Sequence, residues 1–230
     1  ETDLILINLG QDKPSLGGSA LAQVYNQLGN NTPDVQPTDI KEFFEQLTKL
    51  KEQDKILAYH DRSDGGLITT LLEMAFASRC GLDIDVSKLP GSTLKKLFNE
   101  ELGAVIQVKT ADLDEILTIF GQNAQQIGKP KTYQHIDIID GQTAFSKSRA
   151  ELEAMWADTS YQIQKLRDNP ASAEQEFAQV KDDKNSGLSP KVTFEIEPKT
   201  YAAKPKVAIL REQGVNGHIE MAAAFDKAGF

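Results

Sequence analysis

With 230 residues, 40% hydrophobic and 26% charged, the chain is long enough for one or two domains with a sizeable core. Its formal net charge of −9 argues against nucleic acid as a main partner, because a phosphate backbone asks for a basic face. The single cysteine, Cys80, excludes an intramolecular disulfide and suits a reducing, cytoplasmic setting, and no run approaches the ~18 apolar residues of a membrane span.

Leu4 to Leu9 is a continuous apolar run that reads as a buried strand. A loop with Pro14 follows, and then a helix expected to bury Leu21, Val24, Tyr25 and Leu28 before stopping at Gly29. Gly17-Gly18-Ser19 at its start is either a phosphate nest or room for close packing. Pro33 and Pro37 mark a connection, and Thr38 is the expected N-cap of a helix over 39–53. That helix carries Ile40, Phe43, Phe44, Leu47 and Leu50 as one apolar stripe.

The stretch from Lys55 to Cys80 holds the chemistry. A short apolar run, Ile56 to Tyr59, meets His60-Asp61-Arg62-Ser63-Asp64-Gly65-Gly66, after which Leu67, Leu71, Met74 and Ser78 recur at helical spacing. The polar heptapeptide therefore sits where a strand hands over to a helix, the place where α/β proteins put ligands. N–H groups at a helix start attract phosphate, and paired glycines let it approach the backbone closely. Asp61 and Asp64 add hard oxygen ligands of the kind Mg²⁺ takes beside nucleotide phosphates. The alternative from the same residues is that Ser63 or Asp64 caps the helix and the glycines only shape a turn. Cys80, at the end of the apolar helix, reads as a buried small hydrophobe with nothing nearby to activate it.

Further on, Leu82 to Val86 alternates as a half-buried strand with Asp83 and Asp85 on its solvated face. A short helix at 93–98, a strand at 104–108 and a helix capped by Thr110 come next. Residues 127–140 read as extended, with Asp140-Gly141 a hairpin turn. Alternating strands and helices to residue 140 predict an α/β (α+β) fold, a mixed sheet flanked by helices, and no GxGxxG follows any strand. Beyond 145, Arg149 to Arg167 is an amphipathic helix with Leu152, Met155, Trp156, Ile163 and Leu166 on one side, and Pro170 opens a second helix. Residues 181–204 read as a linker, before a strand at Val207–Leu210 and a helix over 217–228. Both ends of the chain look cut, as in a piece of something longer.

The stretch HDRSDGGL resembles the signature of the second synthetase half of phosphoribosylformylglycinamidine synthase, the large single-chain amidotransferase family of purine synthesis. Leu16-Gly17-Gly18-Ser19-Ala20-Leu21-Ala22-Gln23 resembles the segment that opens the same domain's first helix, and Val207 to Asn216 (VAILREQGVN) resembles the start of the family's glutaminase domain. This resemblance implies a C-terminal domain of the aminoimidazole ribonucleotide synthetase superfamily at 1–145, a helical segment and linker at 146–204, and the first strand and helix of a glutaminase domain at 205–230. It implies an ATP-dependent carbon–nitrogen ligase that converts formylglycinamide ribonucleotide, with glutamine as amide donor. The second synthetase half of that family holds Mg²⁺ and ATP or ADP in a structural pocket. Carried across, Asp61 is a Mg²⁺ ligand and Ser63 a nucleotide contact, with Gly65 and Gly66 shaping the nucleotide-binding turn; no residue here is assigned to catalysis. Its partners are the remainder of the same polypeptide and small-molecule substrates, with no nucleic acid and no membrane. A non-catalytic scaffold module stays open as the alternative. So does a related aminoimidazole ribonucleotide synthetase, which the REQGVN segment weighs against.

Overall fold

The computed structural model describes residues 1–10, 13–185, 187–195 and 202–230; parts of the first loop and of the expected linker lie outside them. Residues 1–186 form one compact unit and 187–230 a second.

The first unit is built on a seven-stranded sheet. Its strands are β1 (Thr2–Asn8), β2 (Ala58–Asp61), β3 (Gly81–Asp85), β4 (Gly103–Lys109), β5 (Ala124–Lys131), β6 (His135–Asp140) and β7 (Gln142–Ser148). They lie in the order β2-β4-β1-β5-β3-β6-β7, and every pair is antiparallel except β3 with β6. Central β1 is buried on both faces, which is why its sequence is a continuous apolar run rather than an alternation. Leu4 and Leu6 face one layer, where α3 (Gly66–Ser78), α4 (Thr93–Phe98) and α6 (Arg149–Arg167) bring Leu67, Leu71, Leu97 and Leu152. Ile5 and Ile7 face the other, where α2 (Pro37–Glu52) and α5 (Leu113–Phe120) bring Phe43, Leu47, Leu50 and Ile116. Strand β3 is covered on one side only: Leu82 and Ile84 are buried, and Asp83 and Asp85 are exposed, as their alternation requires.

The compact unit continues past residue 145. Helices α6 and α7 (Pro170–Val180) pack on each other, and the chain after α7 is tied back by two arginines. Arg149, fully buried, reaches Asp183 Oδ1 at 2.8 Å, and Arg79 donates to the carbonyl of Asp182 at 2.6 Å.

Several expectations need correction. The first helix, α1, spans only Ala20–Val24 and buries none of its residues; Val24, Tyr25 and Leu28 lie in water. It ends because Asn26 turns left-handed (φ 53°) and the chain folds back to bond Gly18 through the Leu28 carbonyl. Thr38 is not the cap: α2 starts two residues earlier, with Gln36 as N-cap and Pro37 in the first turn, where its missing N–H costs nothing. Phe44 is exposed at the margin of the α2 stripe. Thr110 opens a short 3-10 turn and spends its hydroxyl on Asp3 instead of capping α5. On α6 only Leu152 of the expected apolar face is buried, while Met155, Trp156, Ile163 and Leu166 are exposed. In the second unit, α8 (His218–Lys227) forms as expected, but Val207–Leu210 is not a strand. Among the described residues of this unit no strand offers a ladder to join, so its backbone groups gain nothing from extending.

Candidate functional site

Strand β2 is an edge strand paired only with β4, Asp61 lying opposite Ala104. At Asp61 the chain leaves the sheet, and of the residues that follow Arg62 is buried while Ser63 and Asp64 are exposed. Arg62 turns inward and is 4% exposed. Its guanidinium donates to the carbonyls of Glu101 and Leu102 and, at 2.7 Å, to Asn8 Oδ1. Burial lowers its pKa to about 10, with the neighbouring Glu101 charge opposing the shift, so it remains a cation at neutral pH.

Ser63 to Gly66 is a tight turn. The Gly66 N–H donates to the Ser63 carbonyl at 2.9 Å, and Gly65 has φ +82° and ψ −4°. These angles belong to the third position of a type II turn, where glycine is favoured. Gly66 is needed for a different reason: a Cβ there would lie 2.7 Å from backbone atoms of Phe98 and Asn99. Its bareness lets the end of α4 rest against the start of α3.

The Gly65 N–H donates to Glu100 Oε1 at 2.8 Å, and the same oxygen accepts from the Ala20 N–H at 2.8 Å. The starts of α1 and α3, which the sequence offers as two separate anion nests, therefore meet across one internal carboxylate. Glu101, 3% exposed, accepts from the Ser15 and Asp34 N–H groups and pins the loop between β1 and α2. The N–H groups of Gly17 and Gly18 are also taken, by the carbonyls of Asn31 and Leu28. A Cβ on Gly17 would fall 2.2 Å from the Asn31 oxygen, so Gly17 serves close packing, while Gly18 takes a left-handed turn (φ 73°) and Ser19 caps α1.

Asp61, Ser63 and Asp64 are exposed, and their side chains have no hydrogen-bond partner among the described residues. The four residues that the family resemblance assigns to metal and nucleotide (Asp61, Ser63, Gly65, Gly66) share one corner, with Asp61 and Ser63 turned to water and the two glycines building the turn beneath. Burial, and then the charge of Asp61, raises the pKa of nearby Tyr59. No group of three or more His, Cys, Asp or Glu able to hold a metal is gathered among the described residues. A Mg²⁺ ion at this corner would find one hard oxygen donor in the Asp61 carboxylate.

His60 places its two ring nitrogens against Glu73 Oε2 (2.9 Å) and the Asp61 carbonyl (2.7 Å). Cys80 is half-buried against the core with its sulfur 3.1 Å from Ser78 Oγ, and no cation pairs with it among the described residues. His218 and Glu220 lie in the first turn of α8 in the second unit. Arg62, Glu73 and Glu100 are the residues that sequence reasoning passed over. Glu100 acts on a turn 35 positions away, and no local pattern announces such a contact.

A family model described as AIR synthase related protein, C-terminal domain, matches residues 3–140. A second, for a CobB/CobQ-like glutamine amidotransferase domain, matches residues 204–230. Among solved structures, PurL of Thermotoga maritima complexed with FGAR superposes with a TM-score of 0.53 at 8% identity, covering 88% of this chain and 31% of that one. Phosphoribosylformylglycinamidine synthase II of the same organism gives 0.52 at 9% identity, covering 98% and 32%. Its PurL complexed with ATP gives 0.51 at 9% identity, covering 90% and 30%. At these identities the likeness is one of fold, and the chain spans under a third of the length of each of these relatives. Helices on a mixed sheet, as expected from the sequence, and a match over more than half of the residues agree: the chain belongs to the family of AIR synthase related proteins, through their C-terminal domain.

Proposed function

We propose that the chain is a segment of an ATP-dependent carbon–nitrogen ligase that uses glutamine as amide donor and converts formylglycinamide ribonucleotide to formylglycinamidine ribonucleotide. The observation that carries this reading is the succession, in one chain, of a match to the synthetase C-terminal domain at 3–140 and a match to an amidotransferase domain at 204–230. That relatives of the same fold are solved with ATP, ADP and AMPPCP supports a nucleotide as the ligand. Residues 1–145, 146–204 and 205–230 then serve as synthetase domain, helical connection and glutaminase start. The cytoplasm is the fitting compartment, and no helix among the described residues is long and apolar enough to cross a membrane.

In this reading Asp61 is one ligand of Mg²⁺ and Ser63 touches the nucleotide, while Gly65 and Gly66 hold the turn that presents both. Mg²⁺ would neutralise the phosphate charge of the bound nucleotide. The exposed carboxylate of Asp61 and hydroxyl of Ser63, without a partner among the described residues, are what this role asks of the chain. The site is structural rather than catalytic in this reading, as the resemblance of HDRSDGGL to the second synthetase half implies. A second reading, a scaffold corner with no ligand, is favoured by one observation: the N–H groups of Gly65 and Gly66 are already spent on Glu100 and Ser63.

Asp61→Asn in the intact ligase separates the two readings. Removing one charge from a partly desolvated metal-linked site commonly costs ~2–5 kcal/mol. The expected result is lower Mg–ADP content of the purified enzyme, and a lower melting temperature through binding linkage, before any loss of turnover. Equal nucleotide content and equal melting temperature in mutant and wild type would leave the corner a scaffold. Turnover itself is tested by following ATP- and glutamine-dependent formation of the amidine product; an intact ligase without that reaction would overturn the assignment.

A further inference from the structure

We infer that the lobe formed by residues 17–31 is the docking surface for another domain of the same polypeptide; the inference rests on that part of the proposed function which makes the chain a segment of something longer. Residues 14–33 contain no Asp, Glu, Lys, Arg or His, in a chain of which 26% is charged. Open surface of that length carries charges, and their depletion around a tyrosine is the composition of an interface centre. The structure removes the other explanation, that the segment is core. Val24 (76% exposed), Tyr25 (69%) and Leu28 (82%) stand in water on α1 and just after it.

The lobe is held in shape before anything covers it. The Gly17 and Gly18 N–H groups donate to the Asn31 and Leu28 carbonyls, both at 2.8 Å, which closes the chain on itself. Glu101 fixes both approaches through the Ser15 and Asp34 N–H groups. An ordered backbone loses little further entropy when its side chains are covered. Glu100 Oε1 then ties the lobe to the candidate site, since it accepts at 2.8 Å from both Ala20 and Gly65. At 1.5 Å of rise per residue, the backbone of Val24 lies within about 12 Å of that of Gly65.

The occupant meets these side chains with an apolar, uncharged face, and it stays in place, because such a patch left open invites aggregation. Two observations favour a domain of the same polypeptide over a second copy. The chain spans under a third of the length of relatives of the same fold. In addition, a small-molecule ligand buries most of its surface, and a corner with Asp61 and Ser63 in open water supplies only one wall. A domain that brings the facing wall lands on α1.

Photo-crosslinking in the intact ligase tests the inference. Tyr25→p-benzoylphenylalanine keeps an aromatic ring at the centre of the patch and makes it reactive. The expected product is a crosslink within one polypeptide, mapped to a residue outside 1–230. No crosslink, a crosslink to another part of 1–230, or one that joins two polypeptides overturns the inference. Leu28→Asp is the second arm. In the 230-residue chain it should leave the urea midpoint unchanged, since Leu28 is exposed there. In the intact ligase it should lower the crosslink yield from position 25 by at least about tenfold, because docking would bury an unpaired charge. Equal yields with and without Leu28→Asp overturn the inference as well. The functional reading fails separately: a polypeptide that forms the crosslink but no amidine product loses the ligase assignment and keeps the docking surface.

Discussion

Arg62 leaves the surface at the end of β2 and its guanidinium ends among carbonyl oxygens, whereas Asp61 and Ser63 on either side stay in water. A charged group is buried at a tolerable cost only when its donors are matched, and here the acceptors are Asn8, Glu101 and Leu102. Arg62→Ala would leave the Glu101 carbonyl without its donor, while the Leu102 carbonyl keeps the Leu9 N–H and Asn8 Oδ1 the Gly10 N–H, and should destabilise the 230-residue chain by ~1–3 kcal/mol, read by urea denaturation. Asp61→Asn in the same chain should move stability by less than ~0.5 kcal/mol, since no described group depends on its charge. Comparable losses in the two variants would show that Asp61 has a structural partner. The sequence makes Asp61 and Ser63 conspicuous, because polar side chains at a strand-to-helix corner are easy to single out. It is silent about Arg62, whose neighbours lie 54, 39 and 40 positions away.

Helix α3 owes its legibility to the 3.6-residue spacing of Leu67, Leu71 and Met74, all of which pack on the sheet, and β3 to its strict alternation. Where one face of an element meets the core, its period is in the sequence. The same logic fails for α1 and for the outer side of α6, whose apolar residues have no layer to face among the described residues of the first unit. It fails for Val207–Leu210 because a strand is defined by a neighbour. The Gly65–Gly66 turn is a mixed case: its position and its glycines are readable, but its occupant is not. Glu100 ties the starts of α1 and α3 with one oxygen, so Glu100→Ala leaves two N–H groups without their acceptor. The expected cost is ~1–3 kcal/mol. It should come with faster amide exchange at Gly65 and Ala20, measured in the folded chain by hydrogen exchange. Unchanged exchange at both amides would mean that water replaces the carboxylate without loss.

At the scale of the whole molecule, the net charge of −9 sets the direction in which acid acts. Asp3 is wholly buried in central β1. Desolvation pushes its pKa up, but hydrogen bonds from Thr110 and Gln126 and the charge of Lys129 outweigh it, so the carboxyl is held below its ordinary value. Asp137 on β6 is lowered to about 2, first by its hydrogen bond to Lys131 and then by Ser146, with burial opposing and His135 adding a little. Both groups bind protons more weakly in the folded chain than in the unfolded one. Their contribution is therefore complete above the unfolded carboxylate pKa of about 4 and is lost as pH falls through the folded values. Asp137 is 37% exposed at its side chain, so water screens its share, and Asp3 should dominate. Stability should thus be flat from neutrality to about pH 5 and then fall steeply between about pH 4 and pH 2. Asp3→Asn keeps the acceptor for one donor and removes the charge; it should lower stability at neutral pH and flatten that acid limb. Urea midpoints measured at one-unit pH intervals on wild type and Asp3→Asn decide the matter. Parallel curves would show that the acid sensitivity resides in other carboxylates, and that the hydrogen bonds joining β1 to Thr110 and to β5 contribute through geometry alone.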